Sequence, residues 1–221
     1  MHAAPALRGG PAARGAWLVF GLLLCAVGIL CFLQSRLGLP PWDVLHQGIA
    51  KHTPLSFGLA NEVVGVIVTV IAWRLGARIG LGTIANAVLI GGFIVLIQHS
   101  HVLTHFDHEP LGVRAALLVV GMACFGIGTA LYIGANLGAG PRDSLMLVGS
   151  RRTGIRVGGV RACLEATALA AGWLLGGKVG IGTVVFAATI GPSVELAFLA
   201  AAHSPLVDAA LRSRVPVRIR A

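Results

Sequence analysis

The sequence predicts an all-α, polytopic transmembrane helix bundle. It is read as two repeats of three spans plus a short broken or re-entrant helix, with the repeats inverted relative to each other. Three observations predict this. The 221-residue chain is 56% hydrophobic and only 11% charged, with a mean hydropathy of +0.87, whereas a soluble domain carries about 25% charged residues. Six long apolar runs cover Ala16–Leu33, Gly58–Trp73, Leu81–Ile97, Val113–Ile133, Val160–Leu175 and Ile181–Ala202, each close to the roughly 17–20 residues a spanning helix requires. Finally, a sequence pattern recurs at an offset of one hundred residues.

The recurrence sets the order of elements. Leu37-Gly38-x-x-Pro41-x-Asp43-x-Leu45 returns as Leu137-Gly138-x-x-Pro141-x-Asp143-x-Leu145. Trp73-x-Leu75-Gly76 returns as Trp173-x-Leu175-Gly176, and Gly80-x-Gly82-Thr83 as Gly180-x-Gly182-Thr183. Sixteen identities fall in the 59 ungapped positions 37–95, against roughly five by chance, the signature of an internal duplication. Each half therefore reads as a first span, a Pro-x-Asp segment, a second span, a Gly-rich turn and a third span. The Pro-x-Asp segments, Trp42–Ala50 and Arg142–Ser150, are too short to cross, since nine helical residues cover only about 14 Å. Backbone broken in this way is tolerated at membrane depth where protein or a cavity shields it. The resulting organisation is an N-terminal tail (1–15), a first membrane repeat (16–98), a His-rich connecting loop (99–112), a second membrane repeat (113–202) and a basic C-terminal tail (203–221).

Charge orients the bundle. Seventeen Lys and Arg face eight Asp and Glu, giving +9, a balance that in a soluble chain would point to nucleic acid. With both termini cytoplasmic, three spans per half place twelve basic residues inside: Arg8, Arg14, Arg74, Arg78, Arg142, Arg151, Arg152, Arg156, Arg212, Arg214, Arg218 and Arg220. Four lie outside, Arg36, Lys51, Arg114 and Lys178, and Arg161 sits one turn into its helix. This is the sign of the positive-inside rule; the basic excess reads as topology and lipid attraction, with no nucleic-acid partner. Four cysteines, Cys25, Cys31, Cys124 and Cys163, all fall in apolar runs without a CxxC pair and read as small hydrophobes.

Residues able to carry chemistry are few. Pro41 and Pro141 with Asp43 and Asp143 suit the first turn of a helix, where the missing N–H is harmless and a carboxylate complements the dipole. The same geometry forms substrate or ion sites where broken helices meet in inverted-repeat transporters, and Arg142 beside Asp143 breaks the symmetry with Trp42. Glu62, Glu165 and Glu195 sit in spans, where acids are costly and face partners or cavities. Arg161 and Glu165 share a helix face and can neutralise each other, which makes packing an alternative to function. The acids Glu165, Glu195 and Asp143 are equally read as lining a polar cavity. Gly82 and Thr83, like Gly182 and Thr183, read as a tight turn and a hydroxyl cap. Four histidines of the connecting loop, His99, His101, His105 and His108, have a spacing that could hold zinc or copper, but the solvated-linker reading is preferred and no metal or cofactor is assigned. Gly172-x4-Gly177-Lys178 lacks the Ser/Thr and the preceding strand of a phosphate-binding loop. No signature of an enzyme is present.

Leu37-Gly38-x-Pro40-Pro41-Trp42-Asp43-Val44-Leu45, Gly80–Thr83 and Leu137-Gly138-Ala139-Gly140-Pro141-Arg142-Asp143 resemble the signature of the bacterial YczE-like membrane family. Arg161-x3-Glu165, Gly176-Gly177-x-x-Gly180-Ile181-Gly182-Thr183 and Gly191-Pro192 extend the resemblance over residues 15–200. It is more distantly similar to YitT-type proteins. The resemblance implies a bacterial cytoplasmic-membrane protein and supplies no catalytic residues.

Two functions compete at this level. One is a small-molecule secondary transporter or exporter, with Asp43, Asp143 and Arg142 lining the site and Glu165, Glu195 and Arg161 tuning it. The other is a non-transporting accessory of a biosynthetic or envelope complex, supported by a Gly-rich surface suited to a homodimer or a membrane partner. A cavity bounded by Asp43, Asp143 and Glu195 would favour the first.

Overall fold

The computed structural model describes residues 7, 9–100, 102, 103, 106, 109–155 and 157–203, with the side chains of 195, 202 and 203 excepted. Eight helices follow in order: α1 (Pro11–Ser35), α2 (Pro41–His52), α3 (Phe57–Arg74), α4 (Leu81–His99), α5 (Leu111–Gly134), α6 (Pro141–Thr153), α7 (Val157–Leu174) and α8 (Ile181–His203). The starts of α1 to α4 and of α5 to α8 differ by one hundred residues in every pair. Five helices, α1, α3, α4, α5 and α8, are long and apolar enough to cross a membrane. The sixth apolar run falls on α7, which is not among them; Arg161 and Glu165 on its first half lower its apolarity. The Pro-x-Asp segments extend beyond the expected nine residues to helices of 12 and 13 residues. At 1.5 Å per residue they reach only about 18–20 Å, short of the ~30 Å hydrocarbon core.

The centre of the fold is the α1–α5 pair, made possible by four glycines. A Cβ on Gly21 would stand 2.7 Å from the Gly128 carbonyl, and one on Gly28 would stand 2.8 Å from that of Gly121. Early residues of α1 thus meet late residues of α5, so the two helices are antiparallel. Without side chains at these four positions the backbones pack closely. Leu22, Cys25, Ala26, Ile29 and Leu30 of α1 are buried against α4 and α5. Phe32 forms edge-to-face contacts with Phe186 of α8. The outer faces of the bundle carry exposed Ile67, Val70, Leu96, Val119 and Val184, as helices facing lipid should.

Reciprocal ties join the first four helices to the last four. The Gly82 N–H donates to the Leu137 carbonyl and the Gly182 N–H to the Leu37 carbonyl, both at 2.8 Å. Gly38 and Gly138, at φ 128° and 134°, make the turns that bring these carbonyls in, a backbone region that only glycine enters without strain. Thr83 Oγ1 accepts from the Gly80 N–H at 3.2 Å and donates to the Ala139 carbonyl at 2.6 Å; Thr183 Oγ1 accepts from the Gly180 N–H at 3.2 Å. Arg114 Nε donates to the Ser35 carbonyl at the end of α1, and Arg14 Nε to the Ala135 carbonyl at the end of α5. Cations there complement the helix dipole and occupy otherwise orphaned carbonyls. Helix α2 packs on α7, with Gly48 against Gly172 and Leu175, while α6 packs on α3.

One relation is unequal. α3 and α4 pack closely, the Gly58 position lying against the Gly91 carbonyl. At Gly158 and Gly191, the corresponding positions of α7 and α8, an added Cβ would meet nothing within 4 Å among the described residues. α8 runs as a helix through Pro192.

Candidate functional site

Between α3 and α4 on one side and α7 and α8 on the other lies a cavity of about 1010 Å³, at the upper end of the roughly 300–1,000 Å³ typical of ligand pockets. The first turns of α2 and α6 open onto it, through Pro41 and Trp42 from one and Pro141, Arg142 and Asp143 from the other. Neither helix start has a side-chain cap, and each has proline in its first turn. Their N-terminal dipole ends therefore converge on the cavity, a favourable setting for negative charge.

Among the described residues, the charged and polar lining comes from six helices, α2 to α7. The Arg142 guanidinium lies 4.9 Å from the centroid of the Trp42 ring, which joins α6 to α2 by a cation–π contact. The fields of Asp43, Asp143, Tyr132 and Glu165 all act on it. Asp143 is half-buried and its Oδ2 accepts from the Tyr132 hydroxyl at 3.0 Å. On α7, Arg161 Nε donates to Glu165 Oε1 at 3.1 Å, the pair remaining partly exposed. Asn61 of α3 and Asn86 of α4 add amides, while Phe186 and Ile190 of α8 form an apolar wall.

A buried polar cluster runs from the lining residues Asn61 and His46 back to Asp43. Asp43 has no exposed surface and His46 has 1%. His46 Nδ1 stands 3.1 Å from Asp43 Oδ1 and 3.1 Å from Asn61 Nδ2. Asp43 Oδ2 is buried without a hydrogen-bond partner. Burial holds the His46 imidazole below its usual value, while the Asp43 carboxylate pulls the other way. The His46 ring also meets the Phe57 ring edge-on at 6.2 Å.

A family model described as a family of unknown function, DUF6198, matches residues 12–198. The chain belongs to this family. The DUF6198 protein is 37% identical over 180 residues to an uncharacterised protein of Haemophilus influenzae, with 80% of each chain covered. It is 34% identical over 178 residues to the uncharacterised membrane protein YczE of Bacillus subtilis, covering 77% of this chain and 79% of that one. It is also 26% identical over 170 residues to the uncharacterised protein YyaS of the same organism, covering 75% and 82%. No solved structure matches. The DUF6198 protein is thus a YczE-like membrane protein.

The residues singled out in the sequence fall into three groups. Asp143, Arg142, Arg161 and Glu165 line the cavity together. Asp43 does not; it is enclosed behind Trp42 and His46, which hold the lining positions on α2. That departs from the expectation that Asp43 lines the site together with Asp143 and Arg142. Both α2 and α6 pack on α3 and α7, but α2 meets α7 closely at Gly48 and Gly172, where α6 and α3 carry Val148 and Ala72. Glu195 lies on α8 with its side chain outside the described residues, as do His101, His105, His108 and the basic tail; His99 ends α4. Glu62 packs against Gly91 and Gly92 between α3 and α4. His46, Asn61 and Tyr132 were not picked out from sequence. Their counterparts at the hundred-residue offset are Met146, Arg161 and Phe32, so polarity in one half alone could have found His46 and Tyr132, and polarity kept in both halves Asn61.

Proposed function

We propose that the protein is a secondary transporter of a small molecule, built from two inverted halves whose non-spanning helices α2 and α6 start at a shared central site. The observation that carries this reading is the polar cavity onto which both helix starts open, with Arg142 and Asp143 at its wall. Transporters of inverted-repeat design place their substrate at such broken helices.

Several features support the inverted arrangement. Gly21 meets Gly128 and Gly28 meets Gly121, the pattern of a twofold axis crossing between antiparallel equivalents. The Leu37–Gly182 and Leu137–Gly82 bonds exchange in the same way, as do the Arg14 and Arg114 caps. α7 counts as a sixth, polar span in this reading, its Arg161–Glu165 pair facing the cavity. The inequality of the hairpins supports alternating access. The α3–α4 hairpin is closed at Gly58 and Gly91, whereas α7 and α8 stand apart at Gly158 and Gly191. With the chain in a bacterial cytoplasmic membrane and both termini inside, the open side faces the cytoplasm. Exchange of the two hairpin states would present the site to the other side.

Proteoliposomes holding a trapped pH dye, challenged with pools of small metabolites, test the reading. Substrate-dependent proton movement is the expected result, and Asp143→Asn abolishes it. Flux through the Asn variant equal to that of the unaltered protein would remove Asp143 from the mechanism, and no flux with any pool would remove transport.

A further inference from the structure

Asp43 lies just behind the cavity lining, held to the lining residues His46 and Asn61 by a chain of polar contacts. A single ring nitrogen, His46 Nδ1, faces a carboxylate oxygen at 3.1 Å and an amide nitrogen at 3.1 Å. An imidazole nitrogen is either a donor or an acceptor, never both at once. With the Asn61 Nδ2 turned to the ring, a donor Nδ1 serves Asp43 and an acceptor Nδ1 serves Asn61, while rotation of the amide would let the Nδ1–H serve Asp43 and the Asn61 Oδ1 together. With Nδ2 toward the ring, the two contacts become compatible in turn, according to whether Asp43 carries a proton.

Asp43 itself is the second observation. It is wholly buried and its Oδ2 has no hydrogen-bond partner, so the N-terminal turn of α2 and the His46 Nδ1 contact are what the carboxyl has in exchange for water. Its surroundings compensate it only in part. Arg142 approaches from α6 through the Trp42 ring, and the Cys25 thiol of α1 lies within its field. From α3 the neutral Asn61 reaches its partner His46, while α7 and the residue after it offer Gly172 and Leu175 to α2. Glu165 of α7 and Asp143 of α6 act on the same Arg142 and so divide its charge.

We propose that Asp43 and His46 are a proton-binding pair of this protein, loaded and unloaded through the cavity-lining imidazole. In the unloaded state the Asp43 carboxylate accepts from the His46 Nδ1–H. On uptake of one proton from cavity water Asp43 becomes the neutral acid, the ring proton moves to Nε2, and Nδ1 accepts from the Asn61 amide. One proton is gained, the net charge of the pair rises by one, and a cavity-lining amide changes its partner. The pair would supply the coupling ion of the proposed transporter, and in that sense rests on that reading. Proton binding itself is measurable without any substrate.

The experiment is infrared difference spectroscopy of the purified full-length protein in lipid, stepped from alkaline to acidic buffer. The C=O stretch of a protonated carboxyl in an apolar setting is expected to grow as the pH falls. It should vanish in Asp43→Asn and persist in Asp143→Asn. His46→Leu removes an N–H donor from the carboxylate and should raise the midpoint by about one pH unit, a tenfold gain in proton affinity. A spectrum without such a band, or a band unchanged in folded Asp43→Asn, would overturn the proposal. So would a band that sodium ions remove at constant pH, since the site would then hold a cation. If the band behaves as expected while vesicles show no flux, the transport reading fails and the proton site stands.

Discussion

Asp43 and Asp143 occupy the same place in their helices, the third residue of a helix that begins with proline, yet they differ in what they can do. Asp143 keeps a cavity-facing carboxyl held by the Tyr132 hydroxyl, while Asp43 is enclosed with His46. At offset one hundred, Tyr132 corresponds to Phe32, which packs in an aromatic cluster with Phe186. A single hydroxyl therefore separates a core position from a site position. Tyr132→Phe should release Asp143 from its partner and reduce flux while costing only about 0.5–1.5 kcal/mol of stability; equal flux at equal stability would show that the bond orients nothing. At the hairpin turns the decisive residue is Thr83, buried and bonded to Gly80 and Ala139 at once. Thr83→Val retains the shape but leaves the Gly80 N–H without its acceptor and the Ala139 carbonyl with the Ser144 hydroxyl alone, at a cost of about 1–3 kcal/mol, measured as a lower unfolding midpoint in detergent. An unchanged midpoint would show that the tie contributes little.

The elements explain which glycines matter. In α1 and α5, Gly21, Gly28, Gly121 and Gly128 stand where any side chain would meet the opposing backbone, whereas a Cβ at Gly15 of α1 would meet nothing within 4 Å. Gly28→Val is expected to force the helices apart and destabilise the protein by about 1–3 kcal/mol, as overpacking does. Gly15→Val serves as the control, with little change in the thermal unfolding curve. Equal effects at both sites would mean that helix propensity, and not packing, governs them. The four-glycine pattern was legible upstream of residue 37: Arg14, Gly21 and Gly28 match Arg114, Gly121 and Gly128. The lengths of α2 and α6 were less legible. Their final turns carry Lys51, His52, Arg151 and Arg152, and charged residues conceal a helix end from a search for apolar runs.

For the whole molecule, the unequal hairpins set the most direct test of movement. Gly158→Cys and Gly191→Cys place thiols where space is open, so both should be accepted by the fold and react with an aqueous maleimide, in a background lacking Cys25, Cys31, Cys124 and Cys163. Cross-linking α7 to α8 through the pair should lower flux by about tenfold or more, corresponding to at least ~1.4 kcal/mol on the limiting barrier. Flux unaffected by a complete cross-link would exclude separation of α7 from α8 as part of the cycle.

The sequence by itself determined membrane residence, the family, and the places where helices begin. Those properties are written along one dimension, as apolar length, recurring motifs and a constant offset. It also brought forward Asp143 and Arg142 through the repeated Pro-x-Asp motif, and Arg161 and Glu165 because charge in an apolar run stands out without reference to neighbours. Only the tertiary structure decided which carboxylate is open and which is sealed. Burial is conferred by residues distant in the chain: α3 supplies Asn61 to His46, α6 supplies Arg142 to Trp42, and α7 closes over α2. Two aspartates in matching local sequences thus acquire different chemistry from the helices packed against them.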